Sequence, residues 1–211
     1  ALFWYKLIRK ALEAAGASFI KLGQWAASRT DIFPSEFCNE LGQLHSNAKS
    51  HGMKYTRRVL EESFGMPLEE VFEELGEEPI GVGAIAQVYL GTLKEAVLDG
   101  DIAAGQQVAI KVMHPHVEET IQRDIAIMKV FANTIDCIPT MEWLSLPDEV
   151  RNFEILMTLQ LDLRIEALNL VKLKENFAKD VFVSFPECYV NYSNRHMLIE
   201  EYVEGISMSK F

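Results

Sequence analysis

The chain has 211 residues, of which 49% are hydrophobic and 24% charged, and a globular chain of that length buries roughly 70% of its unfolded surface, enough for a core without staples. Its formal net charge of −11 argues against a nucleic-acid partner, because phosphate neutralisation needs clustered Lys and Arg.

The opening stretch, "ALFWYKLIRKALEAAGASFI", is apolar but interrupted by Lys6, Arg9, Lys10 and Glu13. It starts without Met and lacks the charged, apolar, small order of a signal peptide, so the beginning reads as cut and any targeting segment is expected to precede it. No run of about 18 apolar residues occurs anywhere, so no transmembrane helix is expected. Leu7, Ile8, Ala11, Leu12 and Ala15 recur at helix spacing, with Gly16 as a stop. A second helix is predicted from about Ala17 to Arg29, ended before Pro34. Ser35 opens a short helix to about Leu44 with Glu36 in its first turn. Residues 54–64 and 67–75 read as two more helices.

At Glu77 the pattern changes. "EEPIGVGAIAQVYLGTL" is rich in Gly, Val, Ile and Tyr and predicts two strands around a tight turn. A polar stretch, 94–106, leads to the short apolar strand "QVAIKVMHP", ended by Pro115. Helical periodicity returns over 117–136, and Pro139 and Pro147 bracket a linker. Pro147, Asp148 and Glu149 then open a long helix expected to reach about Phe177. The last stretch, "FVSFPECYVNYSNRHMLIEEYVEG", predicts two strands around a turn at 191–194. Cys38, Cys137 and Cys188 are far apart and odd in number, which reads as free thiols rather than a disulfide framework or a metal pair. His114-Pro115-His116 reads as a loop, since no further ligand cluster accompanies it.

Three features carry chemistry. "GVGAIAQV" puts Gly81, Gly83 and Val88 in the places of G-x-G-x-x-G-x-V, with Ala86 for the third glycine. Small residues suit a hairpin whose backbone N–H groups must approach phosphate oxygens. Taken alone, a glycine-containing hairpin is the simpler reading. The strand "VAIK" then presents Lys111, 30 residues after Gly81, in the order used by kinases: glycine loop, then lysine. A lysine in an apolar strand is costly without an anionic partner, and the two features together favour nucleotide binding. The segment "QLDLRIEALNL" offers Asp162 and Glu166, four residues apart on one predicted helix face. Either alone reads as a solvated face; with Lys111, Glu166 is the favoured ion-pair partner over Asp162. Phe153, Leu156, Met157 and Leu161 mark a core stripe. Gln160 falls where that stripe predicts an apolar residue, so an internal polar partner is expected for it. Finally, "FIKLGQWAASRTDIFP" places Lys21, Gln24 and Ser28 on one stripe, and Gly23 costs about 1 kcal/mol relative to Ala in a helix, which suggests a close approach at its backbone.

With these residues the sequence resembles the UbiB/ADCK family of atypical kinases. "KLGQ" at Lys21–Gln24, followed by "SR.D.FP", resembles that family's KxGQ helix. "VGAIAQVYLG" resembles its Ala-rich loop, "QLDLRIEALNL" its ExD segment with E-A-x-N, and "LIEEYVEG" the strand before its hinge. The similarity spans nearly the whole chain, and mitochondrial ADCK-type members are the nearest in kind. The resemblance implies an α+β fold: a kinase-like N-lobe, with a five-stranded antiparallel sheet and a long αC-type helix, preceded by a helical KxGQ extension. The boundaries expected are 1–76 for the extension and 77–211 for the N-lobe. It implies ATP as cofactor, with Gly81, Gly83, Ala84 and Ala86 cradling phosphates beside Val88, and Lys111 oriented by Glu166. Glu201 and Val203 would supply hinge contacts to adenine, and Lys21 and Gln24 would gate the cleft with Gln160 and Asp162. It further implies a role in ubiquinone biosynthesis or lipid homeostasis at the mitochondrial inner membrane, with membrane lipid or quinone-pathway proteins as partners.

The sequence departs from the family pattern in three ways. Gly81 and Gly83 make the Ala-rich loop mixed, so the family's nucleotide preference does not carry over. Gln160 stands for the Glu of ExD and holds no charge. After Gly205 no catalytic-loop or magnesium-binding Asp follows, so Mg2+ is expected only in the complete protein, and these residues alone are expected to turn over ATP negligibly. The alternative is a pseudokinase scaffold that binds lipid or a partner protein through its helical extension.

Overall fold

A computed structural model describes residues 2–44, 50–94 and 105–206. The chain forms two compact units, and neither is a single stretch of sequence. The first comprises 1–49, 82–85 and 116–161, and the second 50–81, 86–115 and 162–211.

The first unit is helical. Helices α1 (Leu2–Ala15), α2 (Ala17–Ala27) and α3 (Ser35–Leu41) pack on one another. Gly16 separates α1 from α2 at φ +109°, a conformation that an L side chain resists. Ile20, Ala26, Leu41 and Leu44 form the buried cluster here, with Leu12, Trp25 and Phe37 packed against it. Polar ties reinforce it: Arg9 donates to Glu40 at 2.8 Å and to Glu13 at 2.6 Å.

The second unit is a sheet with helices on both faces. Helices α4 (Met53–Phe64) and α5 (Leu68–Val71) precede strands β1 (Phe72–Leu75), β2 (Gly81–Val82), β3 (Ala86–Leu93), β4 (Gln107–Met113) and, later, β5 (Met197–Glu201). The order is β1-β3-β4-β5, with β2 also paired to β3, and the β1–β3, β3–β4 and β4–β5 pairings are antiparallel. Side chains alternate across a strand, and the register sorts them cleanly. Tyr89, Val108, Ile110, Val112, Met197 and Ile199 share one face and build the core with Leu60, Leu68 and Val71 of α4 and α5. Val88, Lys111 and Leu198, aligned across three strands, occupy the other face.

Two further helices, α6 (Val117–Asp136) and α7 (Leu146–Gln160), belong to the first unit, and α8 (Leu163–Asn176) to the second. Buried Ser18 Oγ donates to buried Asp124 Oδ2 at 2.7 Å, joining α2 to α6.

Four expectations are corrected. The long helix predicted from 147 to about 177 is two helices, α7 and α8, because Asp162 adopts an extended backbone and its carboxylate accepts the N–H of Arg164 as an N-cap. The N–H of Leu163 goes to the Arg195 carbonyl rather than to a preceding turn. Gln160 has no interior place: it ends α7 exposed, because the buried stripe is Phe153, Met157 and Leu161, while Leu156 is also exposed. The helix predicted over 67–75 stops at Val71, and Phe72–Leu75 pairs with β3 instead. Of the two closing strands only β5 forms; the earlier one is reduced to a single bridge, Cys188 to Glu200, and a turn of 3-10 helix at Val190–Tyr192. The polar stretch expected at 94–106 lies mostly outside the described residues.

Candidate functional site

Strand β4 explains where the lysine points. Val108, Ile110 and Val112 are fully buried on the core face, so Lys111, between them, must emerge on the other. Its Nζ donates to both carboxylate oxygens of Glu166, at 2.6 and 2.7 Å. Glu166 stands in the first turn of α8, whose start is fixed by the Asp162 cap. An ammonium has three hydrogens, so this pairing leaves one to donate elsewhere. The two side chains are 27% and 44% exposed. An ion pair that open to solvent contributes only about 0–1 kcal/mol to stability, so its geometry matters more for aiming the ammonium than for holding the fold.

A second acid faces the same lysine. Glu200 pairs with Ala109 across the sheet and is half-buried. Burial pushes its carboxyl above the usual range, Glu166 adds to the rise, and Lys111 opposes it. Cys188, bridged to Glu200, is buried and its thiol is pushed up to about 11, first by burial and then by Glu200, Glu187 and Glu166. A thiol held protonated is a poor nucleophile, so Cys188 is a packing residue here.

The hairpin glycine and its neighbours divide. Among the described residues a Cβ on Gly81 would meet nothing within 4 Å, and its φ lies outside the left-handed region. The protein's own packing therefore does not demand a glycine there, and the space is open to a ligand. Ala86 is buried at the start of β3, and Val88 is half-buried in the row of Lys111. Gly83 and Ala84 lie in the 82–85 segment of the first unit, Ala84 buried. At the end of β5, the N–H of Glu201 is committed to the Glu187 carbonyl at 2.8 Å, and that of Tyr202 to the Gln107 carbonyl at 3.2 Å. Val203, just beyond, is exposed.

Two predicted gate residues, Lys21 and Gln24, sit on α2 of the first unit, where Gln24 Nε2 donates to the Leu44 carbonyl at 3.0 Å. Gly23 between them is buried, and a Cβ there would run into the Leu44 side chain, which accounts for the glycine. Asp162 is engaged by Arg164, whose Nη2 lies 2.6 Å away, and that hydrogen-bonded guanidinium holds the carboxyl below its ordinary range. Of the acid pair, then, Glu166 reaches Lys111 and Asp162 caps the helix that carries it. Sequence reading missed Ala109, Leu198 and Glu200 as parts of this face. Ala109 was within reach by period-2 counting back from Lys111; Glu200 and Leu198 need the β4–β5 register.

Among the described residues no group of three or more His, Cys, Asp or Glu side chains is placed to hold a metal ion. His114 turns to His51, with their Nδ1 atoms 2.8 Å apart, and His116 to Glu119. Nor is any helix among these residues long and apolar enough to cross a membrane.

Residues 43–211 match the family model described as the ABC1 atypical kinase-like domain. The chain belongs to the ABC1 atypical kinase-like family. It is 51% identical, over its full length, to a mitochondrial ABC1 family protein of Saccharomyces cerevisiae. It is 42% identical, over 99% of its residues, to a mitochondrial ABC1 family protein of Schizosaccharomyces pombe. A probable protein kinase UbiB of Providencia stuartii is 32% identical over 96% of the chain. The chain spans about a third of the length of these ABC1 relatives, 33% of each yeast protein and 36% of the bacterial one. In structure it is similar to a Mycobacterium tuberculosis protein solved with erythromycin, with a TM-score of 0.57 and 22% identity, covering 74% of this chain and 37% of that one. The ABC1 chain thus has a kinase-like α+β fold, and its five-stranded antiparallel sheet is the part that carries Lys111.

Proposed function

We propose that this chain forms the ATP-binding part of an atypical kinase or ATPase. The observation that carries the reading is the two-oxygen pairing of Lys111 with Glu166 on the sheet face that also bears Val88. Lys111 would direct its remaining hydrogen to nucleotide phosphate, Glu166 would fix its orientation, and the open backbone at Gly81 would admit phosphate oxygens. Val88 and Ala109 offer small apolar surface beside the lysine, and Val203 an exposed backbone beyond β5. The bound nucleotide would supply the phosphoryl group; the residues named here bind and orient. Magnesium belongs, in this reading, to the complete protein. The names of the yeast relatives support a mitochondrial protein, and the UbiB name of the bacterial relative supports a part in ubiquinone biosynthesis; lipid homeostasis at the inner membrane rests on the sequence resemblance alone.

Calorimetric titration of the full-length protein with ATP tests this. Saturable binding is expected, weakened by roughly two orders of magnitude in Lys111→Ala through loss of a charge-assisted contact of about 2–3 kcal/mol, and less in Glu166→Gln. A folded wild-type protein that does not bind ATP overturns the reading. A second reading, a pseudokinase scaffold, is favoured by the commitment of Asp162 to Arg164 and the exposure of Gln160, which leave that segment without a free carboxylate. ATP binding without turnover in the full-length protein would support it.

A further inference from the structure

We propose that the first unit binds a single-chain neutral lipid in a cavity among α1, α2, α3, α6 and α7. The cavity has a volume of about 580 Å3, and every described residue lining it lies in the first unit. That volume falls within the roughly 300–1,000 Å3 of small-molecule pockets. Protein interiors are otherwise close-packed and leave few voids larger than a water molecule. The walls are apolar, with Phe19, Trp25, Phe37, Met128 and Val150 among them, and among the described residues Glu149 is the one charged side chain in the lining. Water gains little in such a space, whereas a hydrocarbon chain fills it without stranding a polar group. A two-chain phospholipid is too large.

The rim selects the head group. Arg29 Nη1 lies 3.8 Å from Glu149 Oε2, its guanidinium is hydrogen-bonded to Asp31, and it stands over the Trp25 ring at 5.3 Å. One cation is thus shared between two carboxylates. An anionic head would meet net negative charge and an arginine already engaged, while a hydroxyl would find carboxylate acceptors. The entry side is apolar as well: Ile127 and Phe131 of α6 line the cavity yet are 55% and 67% exposed. Most of the cavity's α1–α3 wall precedes the residues that match the family model, and the proposal does not depend on the nucleotide reading.

The test uses delipidated full-length protein and two radiolabelled probes with the same chain, hexadecan-1-ol and palmitate. Saturable, stoichiometric binding of the alcohol is expected, with palmitate roughly ten-fold weaker because its charge is repelled at the rim. Ala26→Phe, which fills the cavity from its wall, should reduce alcohol binding by about ten-fold or more while the protein stays folded by thermal melting. Should that variant fail to fold, Glu149→Gln decides, since removing the rim charge is expected to narrow palmitate's disadvantage by roughly three-fold or more. Absence of saturable alcohol binding by the folded wild type overturns the proposal and means that another part of the polypeptide fills the space. Equal affinity for the two probes, or binding unmoved by the substitutions, overturns it too.

Discussion

Lys111 and His51 illustrate opposite solutions for a basic side chain among apolar neighbours. Lys111 is paired with Glu166 and lies within the field of Glu200. Replacing Lys111 by Met removes the influence that lowers Glu200 and leaves burial and Glu166, so the Glu200 carboxyl should titrate higher; carboxyl-carbon NMR on the full-length protein checks this. His51 instead stays neutral, its pKa lowered to about 4 by burial and then by His114. Its Nε2 lies 2.9 Å from Thr56 Oγ1, Thr56 donates to the Tyr89 hydroxyl at 2.9 Å, and the His51 backbone N–H and carbonyl both bond the Gln87 amide at 3.0 Å. In the unfolded chain His51 takes up its proton near pH 6.5, its ordinary value. Between pH 6.5 and about 4 the unfolded state therefore binds more protons, and stability contributed by neutral His51 is complete above that window and lost as pH falls through it. His51→Gln should flatten this acid-side loss, as measured by denaturant unfolding across the same range.

At the level of elements, β3 and β4 were legible because Val, Ile and Tyr cluster there and the Gly-rich turn precedes them. Helix α6 was legible because its apolar period runs unbroken from Val117. What escaped were features set by partners distant in sequence. Phe72–Leu75 holds two glutamates and follows a helical turn, and only pairing with β3 makes it a strand. The break before α8 depends on Leu163 bonding Arg195, which no local pattern reveals, although an Asp two residues before an Arg was a usable cap signal. Phe182 and Val183 suggested a strand but lie exposed, in a stretch closed by Pro186. The Lys111–Glu166 pairing was readable from charge placement; the role of Asp162 was not. Its substitution by Ala should cost about 1 kcal/mol by loss of the N-cap and loosen the first turn that holds Glu166. Hydrogen exchange at Arg164 would report this. Gly91 makes a sharper case. Strand propensity favours valine at that site, yet a Cβ there would stand 2.9 Å from Ile110 Cδ1 and 3.1 Å from Phe72 Cδ1. Gly91→Val is therefore expected to destabilise by about 1–3 kcal/mol through overpacking, measured as a lower denaturant midpoint.

For the molecule as a whole, a net charge of −11 and an isoelectric point near 5.0 coexist with exposed Val130, Phe131, Trp143 and Phe182. As charge repulsion vanishes, those side chains should drive association, so light scattering from these 211 residues is expected to peak near pH 5 and fall on either side. The sheet shows how little separates interior from working surface. Adjacent residues of β4 serve opposite clients, and only odd–even counting along the strand tells them apart. Deleting one residue ahead of Ala109 would swap that count for every position after it, sending the ammonium of residue 111 into the oily layer beside Tyr89 and presenting a valine to Glu166. Chain length between the glycine hairpin and the lysine is thus itself part of the site's specification, as binding as the identity of either residue.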